Sequence, residues 1–326
     1  MHRVGARYTY NIFHQSEFAL RMAEAALRDG PPAHVVWPFR LLNFTRQLLE
    51  LFLPSAHLVV ADEQYKAYDH AALRRANATL CDRTREFFPV LDGHAFFGGE
   101  RDASAVRAAA FRGCRKRHPR VRERRSQRLR LVVIDRTKTS GEASQRNFWQ
   151  LPKMLASLRR CPAVESVEVR TPSAELSICE QIDLYTRDLD AMLTPHGAHN
   201  TFGIFLPPGA LLLEGMPWAN IGVGYWGLIK YSRVAHHVLY SARPTADDFE
   251  FSGEGAQNDL ECGKNKDCRY AYRWNAHVHV AADRACRLLG DHARSANRTW
   301  PRPVLTLPQL WGSGYWHNPD GEEAAG

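Results

Sequence analysis

The stretch DLDAMLTPHGAHNTFGIFLPPGALLLEGMPW, Asp188 to Trp218, decides the fold. It holds two short apolar runs, Ala191-Met192-Leu193 and Ala210 to Leu213, each with the character of a buried strand. Between them lie a His-Gly-Ala turn at residues 196–198, room for a short helix, and a Pro207-Pro208-Gly209 turn. A strand, a crossover and a second strand form the repeating unit of a parallel sheet covered on both faces.

Working upstream, Ser177 to Asp188 reads as a helix, Val164 to Val169 as an alternating strand, Asn147 to Arg160 as a helix, and Leu129 to Ile134 as a β-branched strand. Pro152 falls near the first turn of its helix, where proline is tolerated. Downstream, Tyr225 to Ala235 reads as a helix. From about Arg243 the chain reads as loop, with one helix around Ala281 to Leu289. The first third alternates helix and strand as well. A helix from about Asn11 to Arg28 stops at Asp29-Gly30-Pro31-Pro32. His34 to Trp37 is a short apolar run, Phe39 to Phe52 a second helix, and His57 to Ala61 a strand. The class is therefore α/β. In such sheets ligands sit beyond the carboxyl ends of the strands, so the loops after Ile134 and Leu193 are where chemistry is expected.

Composition narrows the choice. The 326 residues are 44% hydrophobic and 24% charged, an ordinary globular balance. No apolar run reaches membrane-spanning length, and the opening MHRVGARYTYNIFHQSEF lacks the apolar core of a signal peptide. The chain is thus expected to be cytosolic or to start downstream of a targeting segment. A membrane contact would require such a lost N-terminal anchor. Glycosylation triplets at Asn43, Asn77 and Asn297 exceed the roughly one expected by chance, which favours a lumenal setting. Cys262 and Cys268 are spaced to close a small disulfide loop; a zinc pair is the competing reading, but no second ligand pair follows. The seven cysteines leave at least one free or paired with another chain. The net charge of +8 is concentrated in RKRHPRVRERRSQRLR, Arg115 to Arg130. That run reads as a solvated linker. It has no aromatic residues for base stacking, so a nucleic-acid partner is not expected.

Three further motifs belong with the opening stretch: Asp135-Arg136 after an apolar strand, Glu180-Gln181-Ile182, and Phe205-Leu206-Pro207-Pro208-Gly209-Ala210 leading to Glu214. In this order, with His196-Gly197-Ala198, they resemble glycosyltransferase family 61 over about Leu129 to Tyr240. That family includes plant xylan xylosyl- and arabinosyltransferases and protein O-linked N-acetylglucosaminyltransferases. Asn11-Ile-Phe-His14 matches a weaker motif near the family's start, with Glu17 three residues later where the family places its acid four or five later. Phe202 stands where an Asn is common. Arg146, the candidate second arginine, lies ten residues beyond Arg136.

The resemblance implies a GT-B-like fold, two Rossmann-like domains facing a cleft. Residues 1–128 would be the N-terminal, acceptor-side domain, 129–245 the nucleotide-sugar-binding domain, and 246–326 a loop-rich extension. It implies an inverting transfer from a UDP-sugar to a glycan or glycoprotein hydroxyl, with no cofactor and no obligatory metal, in the Golgi or endoplasmic reticulum lumen. Arg136, Arg146, His196, Gly197 and Ala198 would hold the donor diphosphate, because a departing nucleotide diphosphate needs cationic or N–H partners. Glu214, read as ending a strand on the ligand side, would hold the ribose or make a fold-supporting salt bridge. Glu17, with His14 second, would be the base that takes the acceptor proton. The Asp188-Leu189-Asp190 string opens a strand and is read as polarity at the sheet's far end. Trp218, Tyr225 and Trp226 could stack on a sugar or base, or pack in the core. An inactive scaffold of the same fold and a basic nucleic-acid-binding protein are the alternatives.

Overall fold

Helix α1 (Ile12–Asp29) forms because Gln15, Ser16, Ala19, Leu20 and Ala23 make one buried stripe at helical spacing. It ends where Gly30 enters the left-handed region (φ +91°) and donates its N–H to the Ala26 carbonyl, with two prolines following. The computed structural model describes residues 12–32, 34–37, 41–60, 97–115, 128–136, 147–173, 175–220, 225, 229, 231–253 and 259–295. Strand β1 (His34–Trp37), helix α2 (Asn43–Phe52) and strand β2 (His57–Val60) follow, and β1 pairs parallel with β2. The α2 helix is shorter than its sequence suggests. It begins after Leu42, whose N–H is taken by the buried Gln15 side chain at 3.1 Å. Helix α3 (Glu100–Gly113) comes next, with Glu100 and Asp102 in its first turn where they complement the helix dipole.

The second half builds a five-stranded, all-parallel sheet. Its elements are β3 (Leu129–Ile134), α4 (Leu151–Arg159), β4 (Val164–Arg170), α5 (Ile178–Thr186), β5 (Ala191–Pro195), a 3-10 helix (Ala198–Phe205), β6 (Leu211–Met216) and β7 (Ala235–Tyr240). The strand order is β4-β3-β5-β6-β7. The chain goes outward from β3 to β4 and then returns past β3 to β5, so the order reverses between β3 and β5. Helices α6 (Asp259–Lys264), α7 (Lys266–Asn275) and α8 (Ala282–Ser295) complete the chain's described part.

Both faces of the central strands β3, β5 and β6 are buried, which is why these strands read as nearly continuous apolar runs. Leu131, Val133, Leu193 and Leu213 face α4 and α8. Val132, Ile134, Met192 and Leu212 face α5, the 3-10 helix and the N-terminal helices α1 to α3. The core is therefore continuous from α1 onto the sheet. Arg107 of α3 reinforces that junction. Its buried guanidinium donates to the carbonyls of Ile204 and Ser232. Burial, with a smaller effect from Arg233, lowers its pKa to about 10.

Three disulfides are formed: Cys114–Cys179, Cys161–Cys286 and Cys262–Cys268. The last is the one the spacing suggested. Cys114–Cys179 ties the end of α3 to α5, and Cys161–Cys286 ties the end of α4 to α8. Their loops span 65 and 125 residues, and loop entropy gives such links about 4 to 5 kcal/mol each. Disulfides of this kind belong to an oxidising compartment, secreted or lumenal. The seventh cysteine, Cys81, lies outside the described residues. Among the described residues no helix is long and apolar enough to cross a membrane.

Two expectations change. The segment read as a helix up to Ala235 instead turns at Tyr231–Arg233 and enters strand β7 at Ala235, which completes the sheet. The segment after Arg243 is not mainly loop. Helices α6 and α7 form a hairpin clamped by Cys262–Cys268, with a small core of its own around Trp218, Cys262, Cys268 and Tyr272. Trp218 thus packs edge-on against Tyr272, with ring centroids 4.5 Å apart.

Candidate functional site

The carboxyl ends of β3 and β5 flank the point where strand order reverses, the place where α/β sheets open a ligand crevice. Asp135 and Arg136 leave β3 there. On the β5 side, His196 adds one more ladder rung by donating its N–H to Gly215 O at 2.7 Å, and Gly197 then feeds the 3-10 helix. The two sides meet. A Cβ on Gly197 would lie 2.8 Å from Arg136 Nη1 and 2.8 Å from His199 Nδ1. Only glycine lets the Arg136 guanidinium and the His199 ring approach this closely. Burial lowers the Arg136 pKa, and the hydroxyls of Tyr185 and Tyr225 lie within electrostatic reach of it. The guanidinium remains a cation at any physiological pH.

His199 is held from the other side of its ring. Thr194 donates its hydroxyl to Asn200 Oδ1 at 2.9 Å, so Thr194 Oγ1 accepts from His199 Nε2–H at 2.6 Å. His199 also lies against the Tyr185 ring, with centroids 6.2 Å apart. Tyr185 in turn stacks face to face on Phe202 at 4.5 Å.

His196 is fixed by Glu214. Its Nδ1–H donates to Glu214 Oε1 at 2.6 Å. Glu214 Oε2 accepts from His236 Nε2 at 2.8 Å and from the Tyr225 N–H at 2.9 Å. Burial pushes the Glu214 carboxyl up, but the hydrogen bonds and charges of His196 and His236 outweigh that and hold it well below the usual carboxylate range. An ionised carboxylate can only accept, so His196 carries its proton on Nδ1. The His196 side chain is 13% exposed and its ring lies 5.4 Å from that of Tyr225.

Of the two roles expected of Glu214, this geometry favours the fold-supporting ion pair. Glu214 does not end its strand. It lies inside β6, its side chain fully buried, with both oxygens accepting from protein donors, and so it positions His196. The Glu180-Gln181-Ile182 motif is likewise structural. Glu180 completes a capping box with Ser177, Gln181 donates to Leu176 O, and Ile182 is core.

The remaining candidates fall as follows. Gly197 and Ala198 start the 3-10 helix beside Arg136. His14 and Glu17 lie in the first turns of α1, which packs on that 3-10 helix; their side chains are outside the described residues. Arg146, Trp226, Asn77 and Asn297 are outside them too. Asn43 is exposed at the start of α2. At the opposite end of the sheet, Asp190 accepts from the backbone N–H and the guanidinium of Arg130, and Asp188 is salt-bridged to the same arginine. That is the strand-start polarity expected of the Asp-x-Asp string.

Sequence reading missed Tyr185, His199 and His236, which are positioned by tertiary contacts. It also missed a second cluster on the same rim. The Asp248 side chain, fully buried, accepts from His277 Nδ1 and the His277 N–H, and from His279 Nε2 at 2.7 Å. Trp149 lies 5.3 Å from both imidazoles. No protein-family profile matches the chain, and no curated protein matches it either.

Proposed function

We propose that the chain is an inverting, metal-independent glycosyltransferase, moving a sugar from a UDP-sugar to a glycan or glycoprotein hydroxyl. The observation that carries this reading is the meeting of Arg136 with the His196-Gly197 turn at the reversal point of a parallel sheet. A departing nucleoside diphosphate accumulates negative charge and is stabilised by donors fixed in advance. Arg136 supplies a permanent cation. His196, with Nδ1 bound to Glu214, would present Nε2 to a phosphate oxygen. The 3-10 helix opening at Ala198 adds backbone N–H groups.

The base would come from the N-terminal half. Helix α1 carries Glu17 and His14 and packs on the 3-10 helix that follows the turn, which supports an approach from that side. In this reading the N-terminal elements form the acceptor-side domain of a GT-B-like pair, and the enzyme works in the lumen of the Golgi or endoplasmic reticulum. The donor sugar would be xylose, arabinose or N-acetylglucosamine.

The test is binding followed by turnover. UDP should raise the melting temperature, because a ligand that binds only the folded state stabilises it by mass action. Arg136→Ala and His196→Ala should each reduce UDP release from a donor–acceptor pair by about 10²- to 10³-fold while the protein stays folded. Full activity in both variants, or no shift with any nucleoside diphosphate, rejects the assignment.

A further inference from the structure

Tyr185 brings to this site a buried polar group that the described residues leave unserved. Its side chain is fully buried, and its hydroxyl has no hydrogen-bond partner among the described residues. An unmade bond at a buried hydroxyl is unfavourable, and native structures keep few of them without a reason. The ring is not loosely held. It stacks on Phe202 with planes 5° apart and lies beside the His199 ring. The phenol is therefore held in place by its ring.

Its surroundings indicate what would complete it. The hydroxyl is within electrostatic reach of the Arg136 guanidinium, which itself presses on Gly197 together with His199. Burial pushes the Tyr185 phenol far up, more than Arg136 draws it down, so it is a neutral O–H donor at any working pH. A neutral donor beside a fixed cation suits an anionic oxygen.

We propose that Tyr185 is a further donor-binding residue, whose hydroxyl donates to a phosphoryl oxygen held by Arg136. This rests on the nucleotide-diphosphate reading above and adds to it a specific contact on the phosphate group. By spacing alone Tyr185 is one apolar-face position of helix α5.

The test is calorimetric titration of wild type and Tyr185→Phe with UDP and with inorganic pyrophosphate, alongside the melting temperature of each unliganded protein. Phenylalanine keeps the stack on Phe202 and removes only the hydroxyl. The expected result is about a tenfold loss of UDP affinity, close to 1.4 kcal/mol. Pyrophosphate should lose the same factor, which places the contact on phosphoryl oxygens. The unliganded melting temperature should hold or rise, because a buried unpaired hydroxyl has been removed. Equal UDP affinity in the variant overturns the inference and leaves the transferase reading standing. A fall in melting temperature at unchanged affinity also overturns it, by showing that the hydroxyl serves the fold. Failure of wild type to bind either UDP or pyrophosphate overturns both.

Discussion

Two buried carboxylates in this molecule are each gripped by two histidines, and they stand in different surroundings. Glu214 binds His196 and His236, and Asp248 binds His277 and His279. Both side chains are fully buried, and each also accepts one backbone N–H. The difference lies in what stands next to the imidazoles. His196 adjoins Gly197, against which the Arg136 guanidinium rests. Around Asp248, Trp149 lies against both rings, His277 contributes its own N–H to the carboxylate, and the His279 N–H goes to Ser241 Oγ. The second cluster pins the segment after α7 to the end of β7. A carboxylate–histidine pair is therefore not a site by virtue of its bonds; a neighbouring cation at the sheet's reversal point is what makes one of them a candidate.

The strongest challenge to this contrast is Glu214→Gln. The amide keeps the shape but leaves only one accepting oxygen for three donors, and the negative charge beside His196 is lost. Turnover should fall by on the order of 10²-fold, since His196 loses its fixed orientation and its charge support. Stability should fall by about 3 kcal/mol, at the low end for breaking a buried pair. The pH dependence has a definite sign. Glu214 has a folded pKa depressed below its unfolded value. Its contribution to stability is present above the ordinary glutamate pKa and disappears as pH falls through the folded value. Acid titration should therefore narrow the stability gap between wild type and Glu214→Gln below about pH 4. A gap that stays constant to the lowest pH would show that the carboxylate charge is not what matters.

Asp248→Asn is the matched control. It should also destabilise by about 3 kcal/mol, for the same reason. UDP affinity and turnover, measured well below the variant's melting temperature, should stay within about twofold, the size expected away from the reacting groups. If Asp248→Asn lowers UDP affinity as Glu214→Gln lowers turnover, the two clusters belong to one site and the contrast fails.

The same contrast explains what could be read from sequence. Strands β3, β5 and β6 were legible because both of their faces are apolar, and Arg136 and His196 because they follow strand ends directly. Helix α5 was legible from its apolar spacing. Strand β7 was not, because His236 and His237 interrupt its apolar run and only Val238 and Leu239 are buried in it. His236 meets Glu214 only through the pairing of β6 with β7, a contact that sequence spacing does not encode. Tyr185 reads as one more apolar-face residue of a helix, and its unserved hydroxyl exists only in the folded core. The α6–α7 hairpin was missed because α7, KDCRYAYRWN, carries four charges in ten residues and buries only Cys268 and Tyr272. Its stability comes from a disulfide and from Trp218, more than forty residues upstream in sequence.

That hairpin supplies the smallest and most discriminating test. It is joined to the Asp248 cluster at both ends of its small core. Phe249 follows Asp248 and packs on Tyr272 at 5.2 Å, and His277 follows Ala276 at the end of α7. Cys262–Cys268 closes a loop of only six residues in separation, so loop entropy assigns it about 2 kcal/mol, less than the two long-range disulfides. Replacing both cysteines with serine should therefore lower the melting temperature by a few degrees, roughly 2–4 °C per kcal/mol in a chain of this size. UDP affinity should not change, because the hairpin's small core joins the Asp248 side of the rim. Hydrogen exchange should localise the loosening to α6, α7 and the segment around His277. A loss of UDP affinity on opening this one loop would mean that the Asp248 cluster transmits its order to the Glu214 cluster, and Asp248 would then have to be counted among the groups that shape the proposed donor site.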